Sequence, residues 1–119
     1  IITIGTSAFR RCTSLSSIVI PDSVTLIGKY AFYGCTSLTS IVIPNSIITI
    51  GTSAFRRCTS LSSIVIPDSV KSIGNGAFSG CTSLTDVYYN ASKEQWNAIS
   101  IDSNNDALNS ATIHYNYMG

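Results

Sequence analysis

Cys12, Cys35, Cys58 and Cys81 stand 23 residues apart, and most of the chain keeps that step with them. Phe9, Phe32, Phe55 and Phe78 repeat in phase, as do Gly5, Gly28, Gly51 and Gly74, then Leu15, Leu38, Leu61 and Leu84, then Ile18, Ile41, Ile64 and Val87. A fixed period of roughly 20 to 50 residues specifies a stack of like supersecondary units, not a core closed around a centre. Residues 1–24 are identical to residues 47–70, so a surface presented by one segment is presented again by the other. Equal units also favour register slippage and repeat-swapped dimers.

One unit runs from Pro21 to Ile43. Ser40-Ile41-Val42-Ile43 alternates polar and apolar residues and is rich in β-branched side chains. It predicts a short strand with Ile41 and Ile43 inward and Ser40 and Val42 outward. Pro44 ends it, having no N–H for a ladder, and stacked units pair such strands in parallel. On the return path Val24 and Ile27 are expected to face inward from a short extended or irregular segment. Gly28 and its equivalents are expected at positive φ, where the chain bends. Phe32 and Cys35, three apart, suit a single 3₁₀ or α turn. Arg11 and Arg57 replace Gly34 in alternate units, so the backbone there is not expected to demand glycine. The inward set is Val24, Ile27, Ala31, Phe32, Cys35, Leu38, Ile41 and Ile43. A lone unit leaves this set half exposed against an ordering cost of about 1–2 kcal/mol per residue; stacking covers both flat faces at once.

The period also bears on the cysteines. Equivalent residues of adjacent units lie about 4.8 Å apart with parallel Cα–Cβ vectors, whereas a disulfide needs Cβ atoms about 3.8 Å apart and turned toward each other. A column of reduced, buried thiols is expected. Only 11% of the 119 residues are charged, against about 25% ordinarily, and Ser and Thr supply the polarity. Purely apolar runs such as Ile18-Val19-Ile20 are far short of the roughly 20 residues of a spanning helix, so no membrane insertion is expected. A formal net charge of +1 gives no field to gather nucleic acid. No signal peptide is seen. The chain opens inside a unit, with Ile4 in phase with Ile27, and is read as an excised piece of a longer protein or a product whose first repeats are gone.

After residue 90 the period breaks, dividing repeats (residues 1–90) from an expected cap (residues 91–119). Residues 90–99 read as a helix, with Ser92 as N-cap, Gln95 at the capping-box position and Glu94 in the first turn. Trp96 and Ile99, on one face, are expected to cover the last unit. Residues 102–105 read as a polar loop. Residues 113–115 echo residues 87–89 and predict a further parallel strand with Ile113 and Tyr115 inward.

Outward positions of the predicted strands form two columns: Ser17, Ser40, Ser63, Asp86 and Thr112, and Val19, Val42, Val65, Tyr88 and His114. Small residues beside an apolar column suit an extended peptide, a glycan or another protein, above all at Tyr88 and His114, whose large side chains carry polar ends. The valines are equally what strand propensity alone selects. Arg10-Arg11 and Arg56-Arg57, on the return turns near Tyr33, have the chemistry to hold a polyanion, though isolated pairs are commonly solubility charges. Asp102-x-Asn104-x-Asp106 imitates the start of a calcium loop, but Ala107 and Ile113 stand where glycine and glutamate belong. Neither a metal nor a cofactor is expected. Asn90-Ala91-Ser92 has sequon spacing but opens a helix. Catalysis lacks parts: one histidine, scattered carboxylates, and thiols placed inside by the period. The chain reads as non-enzymatic.

The pattern Leu38-x-x-Ile41-x-Ile43-Pro44-x-Ser46-Ile47-x-x-Ile50-Gly51-x-x-Ala54-Phe55-x-x-Cys58 resembles the BspA-like, Treponema-type leucine-rich repeat family over residues 1 to about 90. Ser23, Ser46 and Ser69 replace the asparagine of the general leucine-rich pattern. The resemblance implies a leucine-rich-repeat solenoid, a right-handed superhelix with one parallel sheet on its concave face. It further implies a bacterial or protozoan cell-surface protein that adheres to a protein or glycan of a host or neighbouring cell. Two other roles fit the residues: a structural spacer displaying another domain, and self-association through the open N-terminal unit.

Overall fold

In the computed structural model, which describes residues 2–117, the chain coils between two parallel sheets, and each turn after the first adds one strand to each of them. The first sheet orders β1 (Ile2–Ile4), β2 (Val24–Ile27), β4 (Thr49–Ile50), β6 (Ser72–Ile73) and β8 (Ser100–Ile101). The second orders β3 (Ser40–Val42), β5 (Ser63–Ile66), β7 (Asp86–Tyr89) and β9 (Thr112–His114). Like residues meet in register: Ile27, Ile50, Ile73 and Ile101 in one sheet, Ile41, Ile64, Val87 and Ile113 in the other. The expectation of one sheet was therefore incomplete. Val24 and Ile27 do point inward, but their segment is a hydrogen-bonded strand. Its two inner residues flank two half-exposed ones, a pattern without the alternation that marks a strand in sequence.

The core lies between the sheets. All eight residues of the inward set are exposed by no more than 3%, so each adds roughly 1.5–3 kcal/mol of apolar burial if large. Phe9, Phe32, Phe55 and Phe78 form one offset stack, with centroids 5.2–5.3 Å apart and planes within 9° of parallel.

The segment around Phe32 corrects two expectations. It is no helical turn but a run of tight turns whose N–H groups alternate. Ala31, Tyr33 and Cys35 donate three residues back, to Gly28, Tyr30 and Phe32, while Tyr30, Phe32 and Gly34 donate to Thr52, Ala54 and Arg56 of the next turn. That alternation uses left-handed residues at two columns: Ser7, Tyr30, Ser53 and Gly76, and Arg11, Gly34, Arg57 and Gly80, with φ between 56° and 76°. The Gly34 column thus does favour glycine, and Arg11 and Arg57 hold it at a cost of about 1–2 kcal/mol each.

Gly28, Gly51 and Gly74 are corrected in the opposite sense. None has a positive φ; glycine is required there by closeness. A Cβ on Gly51 would lie 2.7 Å from the Ile27 carbonyl oxygen and 2.8 Å from the Gly28 carbonyl carbon. The Gly51 N–H donates to that same Ile27 oxygen at 2.8 Å.

All four thiols are free, Cys12 half-buried and the others buried. Each buried one donates to the phenylalanine carbonyl of the preceding turn: Cys35 to Phe9 (3.1 Å), Cys58 to Phe32 (3.1 Å) and Cys81 to Phe55 (3.0 Å). Burial raises the pKa of Cys35 and Cys58 and pushes that of Cys81 up to about 12. A raised native pKa keeps the proton on the folded form, so its contribution is complete below the unfolded thiol's value of about 8.5 and is lost as pH climbs toward the native one. Stability against urea is therefore expected to fall between pH 8 and pH 11, by up to about 1.4 kcal/mol per pH unit for each of Cys58 and Cys81. Cys58→Ala/Cys81→Ala should flatten that slope; an equal slope in the variant would count against the thiols as its source.

The C-terminal segment continues both sheets while changing the turn. The helix α1 (Lys93–Asn97) carries the expected capping box, Ser92 Oγ accepting from Gln95 N and the Gln95 side chain accepting from Ser92 N. Trp96 is buried edge-on against Tyr89, with centroids 5.1 Å apart, and Ile99 is buried with it. A second helix, α2 (Asp106–Ser110), with Leu108 fully buried, was not foreseen. Ile113 and Tyr115 pack half-buried against the core.

Candidate groove on the second sheet

The outward columns follow from the register of the second sheet. Ser40, Ser63, Asp86 and Thr112 align, and beside them Val42, Val65, Tyr88 and His114. Ser17 and Val19 precede these columns but belong to no strand. The local link there is a single long bond, Thr39 N to Ser16 O at 3.4 Å. Val19 is 91% exposed and Val42 63%.

These valines line a groove of about 590 Å³. Its floor and sides bring together Ser17, Val19, Ser40, Val42 and Val65 of the predicted set. Pro44, Asn45, Pro67, Asn90 and Tyr117 line it as well. Ser63, Asp86, Tyr88, Thr112 and His114 do not line it; they continue the sheet beyond.

There the side chains satisfy one another. His114 Nε2 lies 2.8 Å from Asp86 Oδ1, and the Thr85 hydroxyl donates to Asp86 Oδ2 at 2.8 Å. The bond to His114, then that from Thr85, holds the Asp86 carboxyl below the usual range. The His114 ring stacks on Tyr88 at 4.6 Å, and Tyr88 meets Tyr117 at 4.8 Å. Of this cluster only Tyr117 reaches the groove. Each buried thiol is committed to a backbone carbonyl in the core, away from His114.

Tyr117, Asn45 and Asn90 were missed. Asn90 donates to Asn45 Oδ1 at 3.3 Å and accepts from Asp68 N at 2.7 Å, tying the groove lining across turns. A signal existed for Asn45, since Asp22, Asn45 and Asp68 each follow a proline in the 23-residue step. None existed for Tyr117, which is positioned by its N–H bond to Tyr89 O at 2.9 Å beyond the last strand.

Two parallel sheets joined by a phenylalanine-lined turn, with one leucine column per coil, define a leucine-rich-repeat solenoid. The BspA type leucine-rich repeat region matches residues 1–117 in 6 copies, and the chain belongs to that family. Solved structures agree. The chain is similar to a T. pallidum leucine-rich repeat protein (35% identity, TM-score 0.72, covering 97% of this chain and 45% of that one). It is also similar to a leucine rich cell surface protein from Faecalibacterium prausnitzii (45% identity, TM-score 0.79, 83% and 26%) and a leucine-rich repeat protein from Bacteroides ovatus (35%, 0.76, 95% and 28%). It therefore spans less than half of each of those chains. No curated protein matches it. Among the described residues no helix is long and apolar enough to cross a membrane.

Proposed function

We propose that this solenoid is a non-catalytic binding module of a bacterial cell-surface protein, and that the valine groove receives an extended polypeptide segment of a protein on a host or neighbouring cell. The observation that carries this reading is the line of exposed Val19 and Val42 continuing into half-buried Val65. Aliphatic side chains laid along it are desolvated at about 25 cal/mol per Å². The hydroxyls of Ser17 and Ser40 beside them offer partners to a ligand's backbone. The cell-surface description of the F. prausnitzii protein supports the placement.

Peptides selected from a displayed library against the immobilised protein are expected to lose about tenfold or more in affinity on Val42→Asp, since a charge then faces the desolvated contact. Val42 is exposed, so the variant should fold as before, which circular dichroism checks. Selected peptides that bind Val42→Asp and Val19→Asp unchanged would sink the groove as the site. Concentration-dependent sedimentation without ligand would instead favour self-association.

A further inference from the structure

A second surface lies on the edge where the chain passes from the first sheet to the second, and its charge is hidden by the overall balance. Five of the seven lysines and arginines are there, Arg10, Arg11, Lys29, Arg56 and Arg57. No acidic residue shares the first three turns of that edge. Asp22 and Asp68 follow the prolines on the groove side, Asp86 is on β7 and Glu94 in α1, and Asp102 and Asp106 fall in the last turn. The only ion pair among the described residues is Asp86 with His114, so none of the five cations is matched by a carboxylate.

Arg10 is held, not loose. The Arg10 guanidinium lies 5.1 Å from the ring centre of Tyr33 and 5.5 Å from that of Tyr30, and the two rings meet edge to face at 5.8 Å. Arg11 and Arg57 lie across the next turn: a Cβ on Gly34 would come within 3.4 Å of Arg11 Cγ, and one on Gly80 within 3.3 Å of Arg57 Cγ. That contact explains the alternation Arg11, Gly34, Arg57, Gly80. It also means that arginine occupies left-handed backbone (φ 57° and 61°) which glycine fills without strain two turns in four. Strain retained in this way points to a use other than stability. The two Arg-Arg pairs are separated by two turns, about 10 Å at the spacing of stacked strands.

We infer that this edge binds a sulfated linear polysaccharide, with sulfate groups engaged by Arg10-Arg11 at one point and Arg56-Arg57 two turns on. Guanidinium forks match oxyanions bidentately and are weakly hydrated. A pre-positioned Arg10 loses little rotamer freedom on binding. Arginine pairs repeated two turns apart suit a stiff chain carrying its anions at intervals. Nucleic acid is disfavoured because the Tyr30 and Tyr33 rings are taken up by Arg10 and by each other, leaving no open platform for bases. An anionic bilayer is disfavoured because the large exposed apolar groups, Val19, Val42 and Ile48, lie off this edge, with nothing beside the arginines to insert.

The chain supplies its own neutral variant, since Ser79-Gly80 fills the same columns in the fourth turn. Arg10→Ser/Arg11→Gly and Arg56→Ser/Arg57→Gly should therefore fold. Heparin binding, measured by calorimetry at about 0.15 M salt, is expected to weaken about tenfold or more for each pair replaced. The slope of log affinity against log salt should fall by roughly half. Heparin against its desulfated form needs no variant: loss of binding without sulfate supports the inference, and retention overturns it. Equal or tighter binding of single-stranded DNA or phosphatidylserine vesicles overturns it as well, as do arginine variants that bind heparin like wild type. Val42→Asp should leave heparin affinity unchanged, so failure here and failure of the valine groove are told apart.

Discussion

Gly51→Ala is expected to lower the unfolding free energy by about 3 kcal/mol or more, or to prevent folding altogether, because a methyl group there has nowhere to go. Its three nearest neighbours are backbone atoms of the preceding turn, Ile27 O, Gly28 C and Lys29 N, all within 2.9 Å. Backbone cannot yield as the tip of a flexible side chain would. The turns must move apart, which breaks the Gly51 N–H bond to Ile27 O and loosens the Phe32–Phe55 stack at once. Gly5→Ala is the matched control: its Cβ would meet nothing within 4 Å, and its effect should stay near 0.5 kcal/mol. Urea melts of the two variants decide the matter. Similar midpoints would mean that conformational freedom, not the spacing of turns, governs this column.

That distinction marks where the sequence stopped being legible. Periodicity assigns residues to columns, so the inward set, the phenylalanine stack, the free thiols and the strand register could all be read from the 23-residue step. It says nothing about the conformation each column adopts. Two glycine columns look alike in sequence, yet one answers to crowding between turns and the other to left-handed backbone. Arginine in the second hid its preference. The first sheet was missed for a related reason: Val24 and Ile27 lack strand alternation, and what makes their segment a strand is the copy stacked on it. Val42 and Val65 were readable because they share the register of the second sheet, and Val19 because it keeps the 23-residue step. Tyr117 and the mutual pairing of Asp86, Tyr88 and His114 were not, because they depend on how the chain returns after the period has ended.

Asn105→Ala should cost about 1–3 kcal/mol, chiefly from the buried Phe78 N–H left without a partner, since Gly74 O keeps its bond from Ala77 N. In every earlier turn the phenylalanine N–H donates to an alanine carbonyl of the next turn: Phe9 to Ala31, Phe32 to Ala54, Phe55 to Ala77. Phe78 has no such alanine ahead of it. The side-chain oxygen of Asn105 takes the place, accepting from Phe78 N at 3.0 Å, while its Nδ2 donates to Gly74 O at 3.1 Å and Asp102 O at 2.9 Å. Asn105 is only 1% exposed, so water cannot substitute readily. The side chain thus imitates one more turn of backbone and ends the ladder with its donors and acceptors paired. In a stack whose units contact only their neighbours, damage at an end is local before it is global. Hydrogen exchange should accordingly quicken at Phe78 and Gly76 in Asn105→Ala while Phe32 keeps its protection. Asn105→Asp, which keeps the acceptor and loses the donor, should separate the two contributions. Protection at Phe78 in Asn105→Ala equal to that in the parent protein would show that the stack closes by some other means.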